Sequence, residues 1–159
     1  MTKDSVEHNP AENPNISYMT DCYAQKVMPF PVFSKIKNQM LRLVGYHLNA
    51  GYCEALHNFF EQQTAYESMI ESLILHDNNL EDGSFARLLD GVSKFSKLKH
   101  LHYGFNELGH DGNKALLKLF RIAFPNQLKS LVLTNLKTTG KAVKRSGDEA
   151  PEEVDHGAI

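Results

Sequence analysis

Ile70-Glu71-Ser72-Leu73-Ile74-Leu75-His76-Asp77-Asn78-Asn79-Leu80 and Leu98-Lys99-His100-Leu101-His102-Tyr103-Gly104-Phe105-Asn106-Glu107-Leu108 share one pattern, 28 residues apart. Apolar residues stand at places 1, 4, 6 and 11 of each stretch and asparagine at place 9, with Tyr103 replacing one leucine. The match runs on, since Leu88, Leu89 and Val92 fall on Leu116, Leu117 and Phe120. A third copy opens Leu128-Lys129-Ser130-Leu131-Val132-Leu133-Thr134-Asn135, with its asparagine one place early and Thr138 at its eleventh place. A weaker, earlier copy aligns Leu41 and Leu43 with Leu73 and Leu75, Leu48 with Leu80 and Leu56 with Leu88. There Tyr46 stands opposite Asn78. Self-similarity at such a period is the signature of a stacked-repeat architecture.

Each copy has two halves with different periods. Leu73/Leu75 and Leu101/Tyr103 alternate with polar neighbours, as in a half-buried strand. Phe85, Leu88, Leu89 and Val92, then Ala115, Leu116, Leu119 and Phe120, recur at helical spacing, as do Ala55, Leu56, Phe59 and Phe60 in the first copy. Asp111 precedes the last of these helices and is expected to cap its first turn. The reading is α/β: strands stacked in parallel on an inner face and helices on the outer one, a parallel β–α horseshoe segment of about three coils over residues 38–137. Asn78 and Asn106 are expected to be structural. The chain must turn inward after each strand, and a buried amide can donate to a carbonyl and accept from an N–H there. Left unpaired, such groups cost about 1–3 kcal/mol each.

On these residues the repeats resemble the ribonuclease-inhibitor class of leucine-rich repeats. Asn106-Glu107-Leu108-Gly109-His110-Asp111-Gly112-Asn113-Lys114-Ala115-Leu116 is similar to the N-x-L-G-x-x-G-x-x-A-L run of that class. The preceding copy departs from it, with Gly83 one place early and Arg87 in place of alanine. The resemblance implies a solenoid and a binding role, because this fold hosts many unrelated partners. The entry segment, with Tyr18, Cys22, Pro29, Pro31 and Leu41-Arg42-Leu43, resembles that of cytoskeletal and ciliary leucine-rich-repeat proteins, such as the subunit of the nexin–dynein regulatory complex. That resemblance implies an N-terminal helix, a proline break and a second short helix ahead of the repeats. Residues 16–37 are thus a helical N-terminal cap, with a helix over 17–27, a break at Pro29/Pro31 and a second helix over 32–40.

The 159 residues are 42% hydrophobic and 23% charged, which suits one globular domain. Seventeen basic against nineteen acidic side chains give a net charge of -2 and exclude a strongly basic nucleic-acid surface. No apolar run reaches the length of a membrane span, so no membrane partner is expected. The polar start, with Asp4, Glu7 and Glu12, is not a secretory signal. Cys22 and Cys53 lack paired spacing, which points to free, buried thiols in the cytoplasm. Residues 1–15 and 138–159 are polar or charged without apolar periodicity and are expected to be disordered.

The function expected is non-enzymatic protein binding, and the resemblance of the entry segment implies a cytoskeletal or ciliary assembly as its setting. Nucleotide-binding, nucleophile-elbow and zincin motifs are absent, so no catalytic residue, cofactor or metal site is assigned. The partner is placed on the concave face or at the open C-terminal edge. Concave residues alternate with the leucines: Glu71, Ser72, Ile74, His76 and Asp77, then Lys99, His100, His102 and Phe105, then Lys129, Ser130, Val132 and Thr134. They stack as columns Ser72–His100–Ser130 and Ile74–His102–Val132, strands being about 4.8 Å apart. The histidines make this a pH-sensitive patch, protonation favouring an acidic partner. The alternative is regulation of a small GTPase, as in the Ran GTPase-activating protein, which shares this repeat class. It would rest on Glu71, Asp77, Glu81 and Asp82.

Overall fold

Alternation builds the strands. In the computed structural model, which describes residues 14–62, 69–123 and 127–139, the stub Ile36–Lys37 (β1) pairs antiparallel with Met40–Val44 (β2). Ser72–His76 (β3), His100–Gly104 (β4) and Ser130–Thr134 (β6) then add in parallel, in the order β1-β2-β3-β4-β6. Leu41, Leu73, Leu101 and Leu131 lie in register, as do Leu43, Leu75, Tyr103 and Leu133. Parallel neighbours require a crossover. Ala50–Gln62 (α2) supplies it after β2 and Asp82–Val92 (α3) after β3. After β4 the chain forms Glu107–Gly109 (β5), the helix His110–Lys118 (α4) and the π turn Leu119–Ala123. Lys137–Thr139 (β7) pairs in parallel with β5.

The fold is therefore mixed α/β with a parallel sheet. Helices α2, α3 and α4 pack side by side. Their stripes, including Leu56, Phe59, Phe60, Phe85, Leu88, Leu89 and Leu116, join Leu41, Leu43, Leu73, Leu75 and Leu101 in one buried cluster. The helices consequently lie on one face of the sheet. Tyr103 keeps the core although it replaces a leucine. Its ring stacks on Phe85 at 3.7 Å and 12°, and its hydroxyl donates to the Glu107 carbonyl. At the other end β6 forms the sheet edge, and Leu133 is 41% exposed where Leu43, Leu75 and Tyr103 are buried.

The entry segment corrects the sequence reading. Its helix, Pro14–Ala24 (α1), begins earlier than expected and buries Tyr18 and Cys22 beside α2. Phe30 and Phe33 meet Tyr18 edge-on at 6.2 Å and 6.3 Å. Residues 32–40 do not form a second helix. Val32–Lys35 makes one 3-10 turn, and Asn38 and Gln39 take left-handed φ of 50° and 60° that fold β1 back onto β2. The hairpin pairs the side of β2 that β3 does not cover. Pro14 and Asn15, read as part of the N-terminal tail, belong to α1, and Thr138 and Thr139, read as part of the C-terminal one, to β7. Residues 1–13 and 140–159, the rest of the tails expected to be disordered, lie outside the described residues. Among the described residues no helix is long and apolar enough to cross a membrane.

Candidate functional site

Each parallel strand ends on a left-handed residue: Gly45 (φ 74°), Asp77 (51°), Phe105 (55°) and Asn135 (47°). The early asparagine of the third copy has this cause, since Asn tolerates the left-handed region better than most side chains. Leu136 then occupies the place of Asn106, and Tyr46 that of Asn78. Between them, Asn78 and Asn106 are buried and tie each strand to the one before. Asn78 Oδ1 accepts from Tyr46 N at 2.9 Å and its Nδ2 donates to Leu43 O at 2.9 Å. Asn106 does twice as much. Its Oδ1 accepts from Asn78 N at 2.9 Å and Leu80 N at 3.2 Å, and its Nδ2 donates to Leu75 O at 3.0 Å and Gly104 O at 2.9 Å.

The cap of α4 is not Asp111, whose side chain is exposed and makes no capping bond. Asp82 of α3 supplies it. Its Oδ1 accepts from Gly109 N at 2.7 Å and Gly112 N at 2.8 Å, and its Oδ2 from Asp111 N at 2.9 Å. A carboxylate there also faces the positive end of the helix dipole. Gly112 makes the approach possible, because a Cβ on it would lie 2.6 Å from Asp82 Oδ1.

The sheet face opposite the helices carries three columns. They run Met40–Ser72–His100–Ser130, Arg42–Ile74–His102–Val132 and Val44–His76–Gly104–Thr134. Ser72, Ile74, His76, His100, His102, Ser130, Val132 and Thr134 are half-buried in them. Asp77 and Phe105 are exposed at the strand ends. At the opposite end Glu71 pairs with Lys99 at 2.8 Å, and Lys129 is exposed. Arg42 and Val44 belong to this face and were not among the candidate residues, although the alignment of Leu41/Leu43 with Leu73/Leu75 locates them. Of the columns' side chains, Arg42 alone has a fixed charge.

The chain matches no protein-family model, no curated protein and no solved structure. His76 and His102 stack at 6.5 Å, and Phe105 stands 6.3 Å from His76. His100 Nδ1 lies 3.1 Å from Ser130 Oγ. The three imidazoles do not bring three donor atoms to one point. The acidic residues of the GTPase reading are also dispersed. Glu71 is held by Lys99 and Asp82 by the α4 backbone, while Asp77 and Glu81 line a crevice of about 370 Å³ with Phe105 and Lys137.

Burial, then the neighbouring His76 and His100, holds His102 below the ordinary histidine range. The unfolded chain, with a histidine pKa of about 6.5, then takes up this proton before the folded one does. Stability from this group is unaffected above that pH and falls as the pH drops through it toward the depressed folded value. Urea denaturation should show stability declining from about pH 7 to about pH 5.5, and His102→Gln should flatten that slope. An unchanged slope in the variant would place the effect on another group.

Both cysteines are buried and free. Burial pushes the Cys53 thiol up to about 12 and the Cys22 thiol upward as well. Neither has the electropositive, accessible setting of a reactive thiol. At about pH 8 a disulfide reagent should label neither in the folded chain and both after unfolding.

Proposed function

We propose that the chain is a short leucine-rich-repeat solenoid of about three coils that acts as a non-enzymatic protein-binding module through its open sheet face. Phe105 carries the proposal. Its side chain is 54% exposed and its backbone is held at φ 55° at the rim of that face. The left-handed position is common to the strand ends; a bulky side chain there costs about 1–3 kcal/mol, and the exposed Phe105 ring offers apolar contact. Ile74 and Val132 add apolar contact, and Arg42 with the histidines gives the face a basic bias on protonation. The partner is therefore a protein segment with carboxylates, bound more tightly as the pH falls. The exposed Leu133 on β6 favours a second contact by strand addition at the C-terminal edge. The cytoskeletal or ciliary setting rests on the sequence resemblance of the entry segment alone, whose implied second helix is a 3-10 turn and a hairpin in the structure.

The test is capture of partners by the wild-type chain, by Phe105→Gly and by Arg87→Ala, which alters the helical face. Glycine relieves the left-handed strain, so Phe105→Gly should fold with stability within about 1 kcal/mol of wild type. It should lose the partner that wild type and Arg87→Ala retain. Retention by Phe105→Gly, or loss by Arg87→Ala alone, would move the site off this face.

A further inference from the structure

We infer that His57, Glu61 and Asp90 form a divalent transition-metal site on the helical face, suited to Zn²⁺. His57 and Glu61 stand four residues apart on α2, where such pairs share one side of the helix. Asp90 comes from α3. One donor atom from each residue lies within 4.8 Å of the other two. Gly91 permits this convergence. A Cβ on it would lie 3.1 Å from His57 Cα, so the glycine lets the two helices close and brings Asp90 alongside.

The imidazole supplies the second observation. His57 is 2% exposed, and its Nδ1 is buried with no hydrogen-bond partner. Its Nε2 faces Glu61 Oε2 at 3.5 Å, beyond the roughly 2.7–3.2 Å of a well-formed N–H···O bond. Burying a ring whose two nitrogens both lack a well-formed hydrogen bond is unfavourable, and a cation bound at one of them gives that nitrogen a partner. One imidazole and two carboxylates are a borderline donor set that takes Zn²⁺ in a four-coordinate site completed by water. Mg²⁺ and Ca²⁺ prefer oxygen alone.

Binding needs only local movement. Zinc bonds of about 2.0–2.2 Å require the donors to draw in to roughly 3.3 Å from one another. The Glu61 side chain is 44% exposed and can turn inward. Asp90 now pairs with Lys118 at 3.1 Å and Arg87 at 3.8 Å. Exposed pairs of this kind contribute little, and Arg87 retains Glu54 at 2.7 Å. The cation would replace Lys118 as the counter-charge of Asp90 and clamp α2 to α3.

The experiment is titration of the full chain with Zn²⁺ alone near neutral pH, read by calorimetry and by thermal melting. One equivalent should bind saturably and raise Tm. Glu61→Gln should weaken binding at least about tenfold while leaving the metal-free Tm in place. Lys118→Ala, by freeing Asp90, should strengthen it. His57→Ala removes a buried ring and is not relied on. A double His100→Ala/His102→Ala variant should bind as wild type. Absence of saturable binding overturns the site, as does binding indifferent to Glu61→Gln. Loss confined to the His100/His102 variant would put the metal on the open face instead.

Discussion

Asn106→Ala should lose about 4 kcal/mol of folding stability and Asn78→Ala about half of that. The difference follows from what each amide holds. Asn106 pairs two backbone N–H groups and two carbonyls at the ends of β3 and β4 and in the segments that follow. Alanine takes the acceptor from the buried Asn78 and Leu80 N–H groups and a donor from the Leu75 and Gly104 carbonyls, of which Gly104 O keeps Asp77 N at 3.0 Å. Asn78 holds one N–H and one carbonyl. A chain of this size has only about 5–15 kcal/mol in total, so Asn106→Ala should approach the unfolding threshold at ordinary temperature. Urea denaturation at neutral pH measures both. Equal losses, or a larger loss for Asn78, would mean that the turns re-pair and that the amides are not additive supports.

Asp82→Ala should cost about 2–3 kcal/mol and fray α4. Its carboxylate accepts three N–H bonds at 2.7–2.9 Å from the start of the next helix. Two of those donors, on Gly109 and Gly112, are in buried residues. Asp111→Ala, by contrast, should change stability by less than about 0.5 kcal/mol, since its side chain is exposed. Circular dichroism and denaturation of the two variants decide between the residues. If Asp111→Ala is the damaging change, α4 is capped locally after all. Gly112→Ala should resemble Asp82→Ala, because the added methyl occupies the space of the capping oxygen.

The departures from the repeat pattern divide into those with a visible cause in sequence and those without. Tyr103 could be read as a core residue because it kept the alternation of its strand. Its stacking on Phe85 could not, since that contact joins positions in different halves of the unit. Arg87, in place of the expected alanine, is explained only by Glu54 across the helices, with two bonds at 2.7 Å. Asn135 looked like a displaced ladder asparagine and is instead a turn residue at φ 47°. The cap on α4 was misassigned for a related reason. Local rules place a cap beside its helix, whereas the packing of α3 on α4 puts Asp82 within 2.7–2.9 Å of those N–H groups.

Within the repeated stretches, periodicity located β2, β3, β4 and β6, the helical stripes of α2, α3 and α4, the pairing of columns and the face on which His76, His100 and His102 stand, whereas β1, β5 and β7 appear only in the structure. Alternation and helical spacing are local properties that burial reads directly. Tertiary structure decided what the polar residues do. It gave Asp82 to the next helix, set Phe105 in a left-handed rim position, and brought Asp90 beside His57. A polar side chain has no fixed partner along the chain. Its bonds are chosen by whatever unpaired group the packing of the apolar core leaves within about 3 Å.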